Sequence, residues 1–279
     1  MLSNRIIFLF IFFIVAFAPI AAANTIFIHT DNINDLNSLE SNNKIASLSA
    51  ATNLHALALE QQNIQFEYMN TKRSLALMAK GENVCAVNKI KTKQRLSKYI
   101  FSKPINLFLS RRLYQNASYS PIVKTYDGIN KQVTLSEVFN AKPESQVIVS
   151  GHISYGDNLD RQIAALDNKN KIERFSSEHE TGLINMFAKG RAEFALLYPQ
   201  QVYSFENKIN FRSYEVATTS PYILGHLMCT NNVESKKFIQ RINQQLEHLT
   251  NNGELLNVHL SFVNPEEKAI FQHYFYQEF

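Results

Sequence analysis

The sequence contains two copies of one segment, and this internal repeat constrains the fold more than any other feature. LALMAKGENVCAVN at residues 75–88 matches INMFAKGRAEFALL at residues 184–197, with Ala-Lys-Gly shared at the centre. In each copy an amphipathic helix ends at a glycine, Gly81 or Gly190, the usual residue for a left-handed helix C-cap. A short apolar strand follows. The repeat predicts two structural units of the same plan.

The segments that precede each copy follow the same order. An apolar strand (25–30), a helical pattern and an alternating strand (63–69) come before the first copy, and strands at 146–151 and 171–175 flank a helical pattern before the second. Each half therefore reads strand, helix, strand, helix, strand. Strands that alternate with helices indicate parallel βαβ units. The predicted fold class is α/β, with two similar βαβ lobes.

Two further apolar runs connect these lobes. INLFLSRRLY (105–114) leads from lobe 1 to lobe 2, and SPYILGHLMC (220–229) leads back, so the lobes are expected to be joined by a two-strand hinge. We predict that residues 24–107 together with 222–279 form lobe 1, and that residues 108–221 form lobe 2.

The first 23 residues predict export. Arg5 precedes an apolar run from Ile6 to Phe17, and Ala21 to Ala23 form a small-residue cleavage site. This pattern is typical of a secretory signal peptide at 1–23, cleaved after Ala23, and it predicts a soluble periplasmic protein. A retained membrane anchor is the alternative, although the run is short for a span. The net charge of +4 is too small to indicate nucleic-acid binding.

The chain has two cysteines, Cys85 and Cys229. In an oxidising compartment we predict that they form a disulfide; the alternative is two buried thiols that pack as small apolar side chains. Neither belongs to a Cys-x-x-Cys or Cys/His group with metal-ligand spacing, so no metal and no cofactor are expected.

Ligands of open α/β sheets bind beyond the carboxyl ends of the strands, and two facing lobes would bring those ends to one cleft. Arg95 is the main candidate there, because a guanidinium binds a carboxylate through two parallel hydrogen bonds; a surface salt bridge is the alternative role. The turn at Ser150 and His152 precedes a helix and could hold an anionic or carbonyl oxygen, or His152 could be a polar turn residue only. The predicted ligand-binding residues are Arg73, Thr92, Arg95, Ser150, His152, Tyr155 and Tyr198.

The segment KIKTKQRLSKYIFSKPINLFLSRRL at 89–113 resembles the bacterial extracellular solute-binding proteins of family 3, the amino-acid type of periplasmic binding protein. In that family a Thr-x-x-Arg turn is followed by a Phe-Ser-x-Pro stretch. The matching residues here are Thr92, Arg95, Phe101, Ser102 and Pro104. The resemblance implies a type II periplasmic binding protein fold and assigns the ligand carboxylate to Arg95. It is greatest to a branch of the family with cysteines at both places seen here.

Two departures from the family pattern bear on the ligand. Amino-acid binders usually carry an acidic residue after the last strand of lobe 2, where this sequence has Tyr198. The loop expected after the first strand, HTDNINDLNSLESNN at 29–43, lacks the usual aromatic and glycine-rich pattern. A small polar, carboxylate-bearing solute is therefore expected rather than an ordinary amino acid.

The predicted function is capture of that solute in the interlobe cleft by a monomer that a membrane permease, such as an ABC transporter, or a sensor recognises. The sequence has no nucleophile elbow, metalloprotease motif, phosphate loop or dinucleotide fingerprint, so no enzymatic activity is expected. Two alternatives remain open: a same-fold, dehydratase-like enzyme, and an envelope interaction module without a ligand.

Overall fold

The computed structural model describes residues 25–41, 45, 47–122, 132–151, 153–175, 179–203 and 210–279. The predicted signal peptide (1–23) lies outside these ranges. Within them no helix is long and apolar enough to span a bilayer. The described strands are β1 (Ile26–Thr30), β2 (Ile64–Tyr68), β3 (Val84–Lys89), β4 (Tyr99–Leu109), β5 (Arg112–Asn116), β6 (Gln132–Val133), β7 (Val147–Ser150), β8 (Lys171–Arg174), β9 (Phe194–Leu197), β10 (Phe211–Val216) and β11 (Tyr222–Thr230). The α-helices are α1 (Ile33–Ser41), α2 (Leu48–Leu57), α3 (Thr71–Ala79), α4 (Lys93–Leu96), α5 (Leu135–Ala141), α6 (Asp157–Ala164), α7 (His179–Ala188), α8 (Pro199–Tyr203), α9 (Val233–Asn251), α10 (Glu254–Leu260) and α11 (Lys268–Glu278).

The first sheet has the strand order β2-β1-β3-β11-β4. Its first three strands are parallel, as the alternation of strands and helices predicts, and β11 lies antiparallel between β3 and β4. Helix α9 covers this sheet with a buried stripe that contains Phe238, Ile242 and Leu246. The stripe recurs every three to four residues, which is the spacing of one helix face.

The second sheet has the order β6-β10-β5-β9-β7-β8. Strands β7, β8 and β9 are parallel, whereas β5 runs antiparallel to both β9 and β10. The two sheets confirm the predicted α/β class with two lobes of similar plan. The division at residues 107/108 and 221/222 stays a prediction. In the first sheet β4 spans the first boundary and β11 begins at the second, and β5 and β10 are the nearest strands of the second sheet.

The repeated segments form equivalent structures in the two lobes. Helices α3 and α7 are each followed by a glycine in the left-handed region, with φ of 85° at Gly81 and 66° at Gly190. Residues with a Cβ rarely adopt this conformation, so glycine ends each helix at little cost and turns the chain into β3 or β9.

The segment after β1 differs from its expected loop structure. It contains helix α1, in which Leu39 and Asp35 are buried. The apolar positions Ile33, Leu36 and Leu39 follow a three-residue spacing that fits one helix face. The many asparagines and serines around this stripe are weak helix formers, which obscures the helical pattern.

Cys85 and Cys229 form the predicted disulfide, which joins directly paired residues of β3 and β11. Both half-cystines are fully buried in the core of the first lobe. The bond closes a loop with a sequence separation of 144 residues, which includes the whole second sheet. The chain-entropy model gives about 5 kcal/mol of stabilisation for a loop of this length.

Replacing both cysteines by alanine is expected to lower the free energy of unfolding by about 2–5 kcal/mol, because the unfolded chain regains the freedom that the cross-link removes. Urea denaturation of the oxidised wild type and the C85A/C229A variant would measure this difference. Reductant should destabilise only the wild type. Equal stability of the wild type and the variant in the absence of reductant would contradict a stabilising role for the disulfide.

His259 in α10 satisfies the open edge of β4. Its Nε2 accepts a hydrogen bond from the Leu107 backbone N–H at 3.1 Å, and its Nδ1 donates to the Leu255 carbonyl at 2.7 Å. The ring is therefore neutral, and complete burial lowers the pKa of His259 to about 4. Burial, together with the nearby charge of Lys91, also lowers the pKa of His226 to about 4.

Acid is expected to weaken folding through these histidines. In the unfolded chain a histidine protonates near pH 6.5, so the full stability present above that pH is lost progressively as the pH falls toward 4. At pH 5 the loss is about 2 kcal/mol per histidine. Denaturation of H259Q at pH 7.5 and pH 5 should show a smaller pH-dependent loss than the wild type. The exposed-site variant H248Q should retain the wild-type loss, and an equal loss in H259Q would contradict the assignment.

Candidate functional site

The parallel strands of both sheets end where the sequence predicts an interlobe cleft. In the first sheet β1, β2 and β3 end at Thr30, Tyr68 and Lys89, and in the second sheet β7 and β9 end at Ser150 and Leu197. Because β5 is antiparallel to β9, the residues that precede β5 lie at this same edge of the second sheet. The hinge therefore contributes side chains to the cleft.

Arg95 is held in a short turn beyond β3. The Thr92 hydroxyl caps α4 by accepting from the Arg95 backbone N–H at 3.3 Å, and Arg95 Nη1 donates to the Ile90 carbonyl at 3.0 Å. The side chain is half-buried. Burial lowers the pKa of Arg95, and the carboxylates of Asp160 and Asp31 oppose that shift. Since Asp31 follows β1 and Asp160 lies on α6, the guanidinium is within electrostatic reach of both lobes.

A three-residue cluster occupies the carboxyl ends of β1 and β3. Asp31 Oδ2 accepts from Lys89 Nζ at 2.9 Å and from the Thr71 hydroxyl at 2.7 Å. Lys89 is buried, so its charge requires this partner. The cluster neutralises the acidic residue on the lobe 1 side of the cleft.

In the second lobe, the predicted Ser150 turn is closed by Tyr155. The Ser150 backbone N–H donates to the Tyr155 hydroxyl at 2.6 Å, and Tyr155 is buried. Asp160 holds this turn, because its carboxylate accepts from the Ser154 hydroxyl at 2.6 Å and from the Tyr155 backbone N–H at 2.7 Å. The Ser150 backbone N–H, which could have donated to a ligand oxygen, thus donates to the Tyr155 hydroxyl instead.

Tyr198 directly follows β9, and its ring belongs to an aromatic and cationic stack. Its ring stacks on Phe108 of β4, with ring centroids 5.3 Å apart and an interplanar angle of 28°. The guanidinium carbon of Arg111 lies 3.8 Å from the Tyr198 ring centroid and 4.4 Å from that of Tyr155. The stack connects the first lobe, the hinge and the second lobe.

The remaining predicted residues contribute less to this geometry. Arg73 has an exposed side chain at the start of α3, and His152 lies outside the described residues. The sequence interpretation did not identify Phe108, Arg111 or Asp160 as site residues. The two consecutive arginines within the apolar run at 105–114 were a signal for Arg111, because charged side chains beside buried strands need partners.

A buried polar network joins α2, β3 and β4. The Asn106 side chain of β4 accepts from the Thr52 hydroxyl and donates to the Asn88 side chain, which also accepts from Asn53 Nδ2 at 3.3 Å. Asn88 has φ of 56°, a left-handed conformation that asparagine tolerates better than most residues. The network therefore fixes the end of β3 against the hinge strand β4.

Asn106→Ala is expected to lower the free energy of unfolding by about 2–4 kcal/mol, because it removes the buried hydrogen bonds that Asn106 makes with Thr52 and with Asn88. The control is Asn257→Ala at an exposed helix position, for which less than about 1 kcal/mol is expected. Urea denaturation of both variants measures the difference. Equal effects at the two positions would contradict a role for the network.

A cavity of about 340 Å³ lies beside the hinge, on the side of β10 and α11. Its lining includes Arg111, Arg112, Glu215, Thr219 and Tyr274, and none of the predicted ligand-binding residues. No group of three His, Cys, Asp or Glu side chains in the described ranges is arranged to hold a metal ion.

No protein-family model and no curated protein matches the sequence. Solved structures do match the fold. A putative L-cystine ABC transporter protein from Listeria monocytogenes has a TM-score of 0.61 at 15% identity and covers 87% of this chain and 97% of its own. A substrate-binding protein of an amino-acid ABC transporter from Streptococcus pneumoniae, bound to L-arginine, has a TM-score of 0.60 at 13% identity, with coverage of 86% and 94%.

A histidine kinase sensor domain described as similar to periplasmic binding proteins also matches, with a TM-score of 0.61, 11% identity and coverage of 86% of this chain and 96% of its own. The matches extend over nearly the whole of each compared chain. They confirm the predicted fold, that of the two-lobed periplasmic binding proteins, and at these identities they establish the fold alone.

Proposed function

We propose that this protein is an exported solute-binding protein, which captures a small polar, carboxylate-bearing solute between its lobes and presents the closed form to a membrane partner. The observation that carries the proposal is the position of Arg95. Its guanidinium is half-buried, is oriented by the Ile90 carbonyl and lies within electrostatic reach of carboxylates in both lobes. A ligand carboxylate bound there would interact with groups of both lobes and so favour their closure.

The names of the compared structures support a membrane permease or a sensor as the partner of this chain. Two of them are named as ABC transporter proteins and one as the sensor domain of a histidine kinase. Transport and sensing both use closure of two lobes on a solute as the signal. We therefore propose a permease or a sensor as the partner of this chain, and binding rather than catalysis as its activity.

The described surroundings of the cleft support an acidic ligand over a simple ammonium-bearing one. The family position that usually carries an acidic residue is occupied by Tyr198, and Asp31 is already paired with Lys89. Asp160 is engaged by the Ser154 and Tyr155 donors. Arg95 thus provides a stronger preformed contact for a carboxylate than these acids provide for an ammonium group.

A thermal-shift screen of residues 24–279 against amino acids, small carboxylates, sugars and peptides tests the function. A bound solute at 100-fold excess over its Kd should raise the Tm by about 5 °C or more, since only the folded state binds. Shifts confined to carboxylate-bearing compounds would support the proposal. A folded protein with no shift from any compound would contradict it.

Arg95→Ala is expected to weaken binding of the compound found in that screen by about 100-fold, because the substitution removes a charge-assisted bidentate contact. The Tm without ligand should change little. Lys98→Ala, an exposed cation three residues away, is the matched control and should bind as the wild type does. Calorimetric titration that gives one affinity for all three proteins would exclude Arg95 as the anchor.

A further inference from the structure

Arg111 is a buried arginine whose charge is unpaired in the described structure. The residue is 6% exposed, and its Nη1 has no hydrogen-bond partner among the described atoms. Its guanidinium lies against the Tyr198 and Tyr155 rings, 3.8 Å and 4.4 Å from their centroids. These contacts orient the guanidinium but provide no counter-charge.

Two other arginines, Arg112 and Arg241, have carboxylate partners. Arg112, the next residue, pairs with Glu267 at 3.2 Å, and Arg241 makes two hydrogen bonds to Glu60 at 2.6 Å and 2.9 Å. Within the described ranges Arg111 takes part in no salt bridge. A buried cation without a counter-ion is unfavourable, and proteins usually pair it or use it at a site.

The topology places this guanidinium at the cleft. Arg111 directly precedes β5, which is antiparallel to β9, so it lies at the edge where β7 and β9 end. Its guanidinium contacts Tyr198, which follows β9, and Tyr155, which lies beyond β7. Arg111 also lines the cavity beside the hinge, together with residues of β10. The contacts with the two tyrosines place the charged group at the edge of the second sheet where β7 and β9 end.

The geometry also restricts what can bind. Two aromatic rings lie against the planar guanidinium, whose N–H groups lie in its own plane and so suit a planar acceptor. A carboxylate matches this fork and neutralises the charge. A neutral carbonyl would satisfy one N–H group and leave the buried charge uncompensated.

We infer that Arg111 is a second anion-binding residue and that the ligand carries two acidic groups, one bound by Arg95 and the other by Arg111, as in a small dicarboxylate or an acidic amino acid. This inference rests on the proposed binding function and narrows its ligand class. The two arginines extend from different parts of the cleft, one from lobe 1 and the other from the hinge. A ligand with two negative charges would therefore connect lobe 1 to the hinge when the cleft closes.

Matched pairs of compounds test the number of acidic groups. Calorimetric titration would compare succinate with butyrate, L-glutamate with L-glutamine and L-aspartate with L-asparagine, using residues 24–279. At least one diacid is expected to bind tenfold or more tightly than its partner. The R111Q variant should lose tenfold or more of that affinity and most of the preference within the pair.

Two further variants separate binding from structure. R112Q changes the adjacent arginine, which already has a carboxylate partner, and should alter the affinity less than threefold. R111K keeps the positive charge between the rings but lacks the planar fork, and it should reduce the affinity by an intermediate factor. R111K also provides the test if R111Q does not fold.

The outcomes distinguish this inference from the proposed function. Tight binding of a monoacid or neutral solute, unchanged in R111Q or R111K, would overturn the inference and leave the binding function in place. Absence of binding by all six compounds and by the broader screen, with folded protein, would overturn both. Equal loss of affinity in R112Q and R111Q would indicate a general effect of the hinge and would also overturn the inference.

Discussion

The pairing of β11 with β3 and β4 is the interaction on which the rest of the structure depends. This strand returns from the second lobe and completes the first sheet between two strands that were formed more than a hundred residues earlier. The disulfide between Cys85 and Cys229 fixes its register against β3. Because β4 and β11 are also the strands that lead to and from the second lobe, the same pairing positions the hinge and everything that extends from it.

Much of the architecture could be predicted from local patterns. The glycine-capped helices before β3 and β9 and the apolar strands after them identified both lobes, since these signals lie within a dozen residues. Strands β6 and β10 and helix α5 were not identified. Strand β10 is positioned by pairing with β5, a contact between distant parts of the chain, and β6 pairs in turn with β10. Helix α1 was interpreted as a loop because polar residues surround its narrow apolar stripe.

The candidate site was predictable only where a local turn defines it. Thr92 caps a short helix that orients Arg95, and the spacing of these two residues is visible in the sequence. The environment of Arg111 was not visible, because Tyr155 and Tyr198 come from other elements and meet it only after the second sheet forms. Likewise, the Ser150 N–H seemed available from its position before a helix, whereas the folded chain places a tyrosine hydroxyl against it. Tertiary contacts decide which donors remain for a ligand.

The position of the return strand also sets the order in which the lobes can be completed as the chain becomes available from its N-terminus onward. All described strands of the second sheet lie between residues 112 and 216. The second sheet therefore has all of these strands before the segment from residue 217 onward is available. The first sheet has to wait for β11 and for the covering helix α9. Until residue 229 arrives, Cys85 has no partner within this chain, and the unfinished edge of β3 is exposed to other chains. The first sheet, which contains the N-terminal strand β1, is thus completed after the second.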